Sequence, residues 1–304
     1  MPTMPETRCP GWRWPATGTT WHVHHSGGVS EYAARAVAAA VEHDEARWSR
    51  FRPQSDVSRI SRAAGTAVDV HPETIDLLSA CRRWTAVTGG VFQPLVCMAL
   101  ECWGYAMSMA ERPPRAASSP QCDPVLGDIE IDHVDLTARI PSGTRLDLGG
   151  IAKGWMAVRT AAVVRSLSDD QSILIDAGGD LTAVRGVHTI AVEPPHSQAL
   201  AGRRPTTVWV NVLEGEGVAT SGSGRRRWVN GDGRTAHHLI DPAVGRPGPE
   251  CQVTVIAPDG VTADVSAKVL ALRPQRVERF GHAAMVTVNG VCRTTPAWDR
   301  AVTP

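Results

Sequence analysis

The spacing of apolar residues changes character part-way along this 304-residue chain. In the first third the period is helical. Val29, Ala33, Val37 and Val41 recur every four residues, which predicts an amphipathic helix over 29–48 with Ser30 as its cap. Residues 55–65 predict a short helix closed by Gly65, and Pro72 to Thr88 a longer one stopped by Gly89-Gly90. A further apolar run extends from Leu95 to Cys102. Beyond 128 the period becomes that of strands, at 129–134, 144–148, 172–176, 180–185, 187–193, 206–213 and 253–258. Helices over 150–167 and 262–272 interrupt them, and residues 18–25 form one early strand. Trp228-Val229 before Asn230-Gly231-Asp232-Gly233 predicts a hairpin, as do the segments around Asn289-Gly290. The sum is an α+β chain. Residues 1–16 read as an irregular arm, and 107–127, rich in Pro, Ser and Ala, as a surface excursion.

Charge and composition narrow the function classes. Lys plus Arg and Asp plus Glu are 31 each, so no basic excess favours nucleic acid as the partner. No stretch of about 18 apolar residues predicts a membrane span. The first residues lack an apolar run of signal-peptide length, so a cytoplasmic location is expected. The seven cysteines are irregularly spaced and include no CxxC pair. They suggest neither a zinc ribbon nor a disulfide framework, but free buried thiols in a reducing compartment. Arginine carries nearly all the positive charge, because the only lysines are Lys153 and Lys268.

Three segments have the composition of a site. In LDLGGIAKGWMA (146–157) a strand meets a helix through two glycines. Unpaired N–H groups at a helix start attract phosphate, and Lys153 lies one turn in. The same spacing also describes an ordinary glycine-rich turn with a surface lysine. GVATSG (217–222) followed by AHHLIDPAVGRP (236–247) has the small hydroxyl residues and the His-x-x-Asp-Pro of a pocket rim. His238 there is an acid/base candidate or a structural histidine. In VTVIAPDGVTADVSAK (253–268), Asp264 and Lys268 are four apart, hence on one helix face. A carboxylate at that place suits a hard cation such as Mg²⁺, and equally an intrahelical ion pair.

Their order is more specific than any one of them. DLGGIAKG, LIDAGGDL, GVATSG with HHLIDP and GRP, and VTVIAP with TADVSAK resemble the ApbE family of FAD:protein FMN transferases. GTTWHV, WSRFRPQSDVSRIS, TGGVFQP, WGY and GHAAMVTVNGV extend the resemblance over about residues 17–295. It implies a single ApbE-like, T-fold-related domain over 17–304, with mixed sheets flanked by helices and FAD in a central cleft. It implies FAD contacts at Thr17, Phe51, Val91, Phe92, Gln93, Asp147, Lys153 and Ile240. It implies Mg²⁺ on the Gly150 carbonyl and on Asp264, and proton transfer by His238 or Asp264. The implied reaction cleaves the FAD pyrophosphate, places FMN on a Ser or Thr of an acceptor protein and releases AMP. An FAD-binding protein without transfer activity and an FAD pyrophosphatase are the alternatives.

Several positions depart from the family pattern. A lysine, Lys268, stands where the family has a metal-binding threonine. A protonated ammonium repels Mg²⁺, so Lys268 is expected either to replace the ion or to impair transfer. Gln93 replaces an acidic residue, Val158 an aspartate, Phe51 a tyrosine and Thr17 a methionine.

Overall fold

The computed structural model describes residues 11–107, 123, 127–193, 207–229 and 233–303. Most of the expected 107–127 excursion and the Asn230-Gly231-Asp232 turn lie outside the described residues. An eight-stranded sheet runs through the molecule. Its strands are β1 (Gly11–Ala16), β2 (Thr19–His25), β3 (Ile173–Ala177), β4 (Leu181–Arg185), β5 (Gly217–Gly222), β6 (Cys251–Ala257), β7 (Ala283–Val288) and β8 (Val291–Thr294). Neighbours in the sheet are neighbours in chain order, and every pairing is antiparallel.

The first strand corrects the expectation of an irregular arm for residues 11–16, while residues 1–10 of that arm lie outside the described residues. Residues 11–16 pair with β2 from Gly11↔His24 to Ala16↔Thr19. Thr17 and Gly18, both at positive φ (52° and 68°), make the tight connection that matches strand twist. Trp12, Trp14 and Ala16 alternate inward onto the core. Pro15 is accommodated because β1 is an edge strand, where the missing N–H is tolerated.

Between β2 and β3 the chain makes most of its helices: α1 (Glu31–Trp48), α2 (Asp56–Arg62), α3 (Pro72–Val87), α4 (Cys97–Cys102) and α5 (Ala152–Leu167). Ser30 and Ser55 cap α1 and α2 by accepting from Ala33 N–H and Ser58 N–H. Helix α6 (Gly260–Leu272) joins β6 to β7. It packs on β5 and β6, α5 lies against it, and α1 lies against α5. Of its 13 residues only Thr262 and Lys268 are not buried. A helix apolar nearly all round is a core element, and each buried valine or leucine stabilises by about 1.5–3 kcal/mol.

The other face of the sheet is covered by the paired strands 188–192 and 208–212 and by the terminal helix Pro296–Ala301, whose Trp298 fills a second core. Small sheets formed by 227–229 with 235–237, and by 240–241 with 246–247, stand at one end. A three-stranded sheet joins 68–69, 137–139 and 130–132. The expected strand 144–148 makes no ladder. Arg145 forms one isolated bridge with Val96, Asp147 N–H donates to Pro94 O at 2.8 Å, and Leu146 N–H to the Ser61 hydroxyl at 3.0 Å. Its partners are a loop and a side chain, so the segment is extended without belonging to a sheet.

Candidate active site

A cleft of about 370 Å³ opens where α4, α5, α6 and the hairpin end of the molecule meet, within the size range of small-molecule sites. Thr17, Phe51, Val91, Phe92, Gln93, Asp147, Gly150, Lys153, His238, Ile240 and Lys268 all line it. Residues far apart in sequence are thereby brought together in one cleft. Asp264 lies beneath this surface, 1% exposed.

One wall is aromatic and cationic. Arg50 Nε pairs with Asp147 Oδ2 at 2.6 Å, and Arg50 Nη2 donates to Tyr105 O at 2.6 Å. The guanidinium lies 4.3 Å from the Phe51 ring centre and 4.9 Å from that of Tyr105. Tyr105 stacks on Trp228 at 5.6 Å. Asp147 also accepts from Gly149 N–H at 2.7 Å, which shapes the turn into α5. Arg50 and Tyr105 were not singled out as site residues, although both lie inside family-like blocks.

Two expected contact residues have other work in the fold. Gln93 borders the cleft, but its amide accepts from Leu95 N–H at 3.2 Å and donates to Gly127 O at 3.4 Å. Its amide braces the loop after α3. The Thr17 hydroxyl accepts from Trp21 Nε1 at 2.9 Å in the β1–β2 turn. Ile240 contributes apolar surface from the short strand 240–241, which Arg273 anchors through two contacts to Asp241, 2.7 and 2.9 Å long.

Beyond the cleft lies a wider groove of about 1380 Å³. Five residues line both spaces: Gly149, Lys153, Arg226, His238 and Lys268. Lys153 pairs with Asp180 and Lys268 with Asp264. Burial holds Lys153 well below the ordinary lysine value, at about 7, with Asp264 opposing the shift and Lys268 and Arg226 adding to it. Arg226 is the residue that the sequence reading missed most completely. In the run 225–227, Arg225 pairs with Glu193 at 3.0 Å and Arg227 with Glu250 at 2.8 Å. Arg226 faces the junction between them and has no carboxylate partner among the described residues. Arg226 lies in the bend just before the strand 227–229, so strand alternation does not set its direction, and the three consecutive arginines were the available signal.

His238 is the other group at the junction. Its Nδ1 is shut off from solvent without a hydrogen-bond partner among the described residues. Burial, followed by the charges of Arg226 and Lys268, keeps its pKa well below the usual histidine value. It is therefore a neutral imidazole near pH 7, with a nitrogen able to accept a proton.

The residues do not fit the Mg²⁺ that the resemblance implied. Asp264 Oδ1 carries the Lys268 ammonium, and Oδ2 accepts from Gly154 N–H at 3.3 Å. The Lys268 stem lies over Gly150: a Cβ built there would stand 3.4 Å from Lys268 Cδ and 3.5 Å from Cε. Mg²⁺ needs oxygen ligands in near-octahedral array, and an ammonium fills the place between these two groups. Among the described residues no cluster of three or more His, Cys, Asp or Glu side chains could hold a metal ion.

Comparison with known proteins agrees with the geometry. The ApbE family pattern matches residues 17–284. An FAD:protein FMN transferase of Klebsiella pneumoniae is 27% identical over 253 residues, which is 75% of this chain and 76% of that protein. One of Rhodobacter capsulatus is 27% identical over 271 residues, 84% of this chain; the chain spans about half of that protein, 49%. The crystal structure of an ApbE protein from Thermotoga maritima superposes with a TM-score of 0.80 at 23% identity, over 97% of this chain and 99% of that one, a likeness of fold. With the family pattern matched over residues 17–284 and the fold shared over almost its whole length, this chain belongs to the ApbE family.

Proposed function

We propose that this chain is an FAD:protein FMN transferase. The observation that carries the reading is the junction, where Lys153, Lys268, Arg226 and a neutral His238 meet between a smaller aromatic-walled cleft and a larger groove. The flavin half of FAD suits the cleft, against Phe51 and Tyr105, since a flat aromatic ring gains from stacking and from burial. The pyrophosphate suits the junction, where cationic donors are directed at anionic oxygens in a partly dry setting. An acceptor segment from another protein enters from the groove side and presents a Ser or Thr hydroxyl.

In the reaction, the hydroxyl oxygen forms a bond to the FMN-side phosphorus and the bridging P–O bond breaks. The bonding pair leaves with AMP. The hydroxyl proton passes to His238, which is neutral, and the anionic pyrophosphate offsets the Arg226 and Lys268 charges that otherwise disfavour its imidazolium. Of the two candidate bases His238 is better placed than Asp264, whose oxygens are already held by Lys268 and Gly154. Burial of the groups at the junction strengthens each charge contact there.

The proposed client is a cytoplasmic protein with an accessible Ser/Thr segment. Among the described residues five cysteines are free thiols, which suits a reducing compartment; Cys81 and Cys97 are buried as expected, Cys251 is half-buried, and Cys102 and Cys292 are exposed. No helix among the described residues is long and apolar enough to cross a membrane.

The test is to incubate the purified chain with FAD and a Ser/Thr-containing acceptor domain of an ApbE relative. AMP should form in step with a gain of one FMN mass on the acceptor. FMN and AMP without labelled acceptor would make the chain a pyrophosphatase. Bound FAD without AMP, acceptor present, would make it a binding protein.

A further inference from the structure

Helix α6 has a single cationic outlet. Eleven of its 13 positions are buried, and Lys268 is the one charged side chain that emerges, into the wall between cleft and groove. Its partner Asp264 is sealed beneath it. A merely structural ion pair gains little from pointing its ammonium into a cavity junction, because burial of charge costs more than an exposed pair returns. The position makes sense if a ligand's negative charge lies there.

The charge count at the junction indicates the same. With both lysines protonated, as an anionic ligand favours, the Lys268–Asp264 and Lys153–Asp180 pairs are each neutral in sum. A divalent ion on Asp264 would leave one positive charge. Here the positive charge left without a carboxylate partner among the described residues is the guanidinium of Arg226, between its outward-paired neighbours. A guanidinium presents two parallel N–H donors to phosphate, and an ammonium fills a compact space as a point charge. Together they meet both needs of the leaving group: neutralisation and hydrogen bonding of the oxygen that departs with AMP.

We propose that Lys268 and Arg226 are the resident cations of this site, and that the chain cleaves FAD without a divalent metal. The proposal rests on the transferase reading for the reaction. Its claim about metal exclusion has its own readout. The Lys268 and Arg226 N–H groups donate to the pyrophosphate, and the same bonds form and break as above, with no further reactant.

The experiment has two arms. In the first, chelator-treated protein is given FAD and acceptor, with EDTA or with Mg²⁺, and AMP is followed. The wild-type chain should release AMP at the same rate in both. Lys268→Thr should release AMP only with Mg²⁺, and Arg226→Gln should lose roughly 10²-fold in both conditions. In the second, Mn²⁺, a similar oxygen-seeking ion, is titrated by electron paramagnetic resonance into FAD-loaded protein. The wild type should bind none stoichiometrically, and Lys268→Thr should bind one. One Mn²⁺ per wild-type chain, or wild-type AMP release lost to EDTA and restored by Mg²⁺, overturns the proposal. If no AMP forms under any condition, the transferase reading fails, and the Mn²⁺ arm still decides whether Lys268 excludes the ion. Both deciding wild-type results are independent of whether a variant folds.

Discussion

Gly154 N–H donates to Asp264 Oδ2 at 3.3 Å, a contact that joins the first turn of α5 to the centre of α6. It exists because two glycines let the helices touch. A Cβ on Gly154 would lie 2.4 Å from Gly260 O and 3.0 Å from Asp264 Cβ. The first of these is backbone and cannot swing aside. The same close approach sets Lys153 and Lys268 beside one junction.

Gly154→Ala should therefore destabilise the chain despite the better helix propensity of alanine. The expected loss is about 1–3 kcal/mol, the usual cost of overpacking a dense interior. Urea denaturation measures it. A variant as stable as wild type would mean that α5 and α6 can separate freely.

Arg50→Lys should weaken FAD binding more than it weakens the fold. Arg50 bridges Asp147 and Tyr105 O while its flat guanidinium lies beside Phe51 and Tyr105. Lysine keeps the charge and loses the fork and the stacking plane. A loss of about tenfold in affinity is expected, which corresponds to about 1.4 kcal/mol. Quenching of flavin fluorescence reports it, and an unchanged Kd would remove Arg50 from the flavin wall.

His238→Gln should retain FAD binding and lose about 10²–10⁴-fold in AMP release at saturating FAD and acceptor. Burial and neighbouring cations depress the imidazole pKa, so the wild-type rate should show no inflection near 6.5. A normal bend at that pH would mean that the base is another group or that the site opens to water.

FAD affinity should fall as pH rises through about 7. In the free protein burial lowers Lys153 to about that value. An anionic pyrophosphate favours the ammonium form, so above pH 7 binding must take up a proton. Linkage sets the ceiling at about tenfold in Kd per pH unit. Calorimetry in buffers of different ionisation enthalpy counts the proton directly. Lys153→Met should bind FAD with a flat pH dependence, and a wild-type slope of zero would separate Lys153 from the phosphates.

Most helices and strands were legible from local pattern. Helix α1, with Ser30 as its cap, and the terminal hairpin at Asn289-Gly290 follow from period and turn chemistry, which act over a few residues. The segments that misled were those decided by the surroundings of the segment and not by its own pattern. Residues 11–16 are a strand because β2 gives them an edge and the core takes Trp12 and Trp14. Residues 144–148 are not a strand because a loop and the Ser61 hydroxyl occupy their backbone groups. The terminal helix Pro296–Ala301 was not anticipated, since six residues carry too little periodicity.

The site divides along the same line. Motif order identified the family and named Lys153, His238, Asp264 and Lys268, because residue type and spacing are properties of the chain itself. The direction of each side chain was not among those properties. Arg226, in a run of three like residues, became the unpaired one only when Glu193 and Glu250 took its neighbours. Lys268 became a cavity cation only when packing buried nearly all the rest of its helix. Charge and burial depend on what surrounds a residue in space, and that was settled by the meeting of segments from about twenty to more than a hundred residues apart.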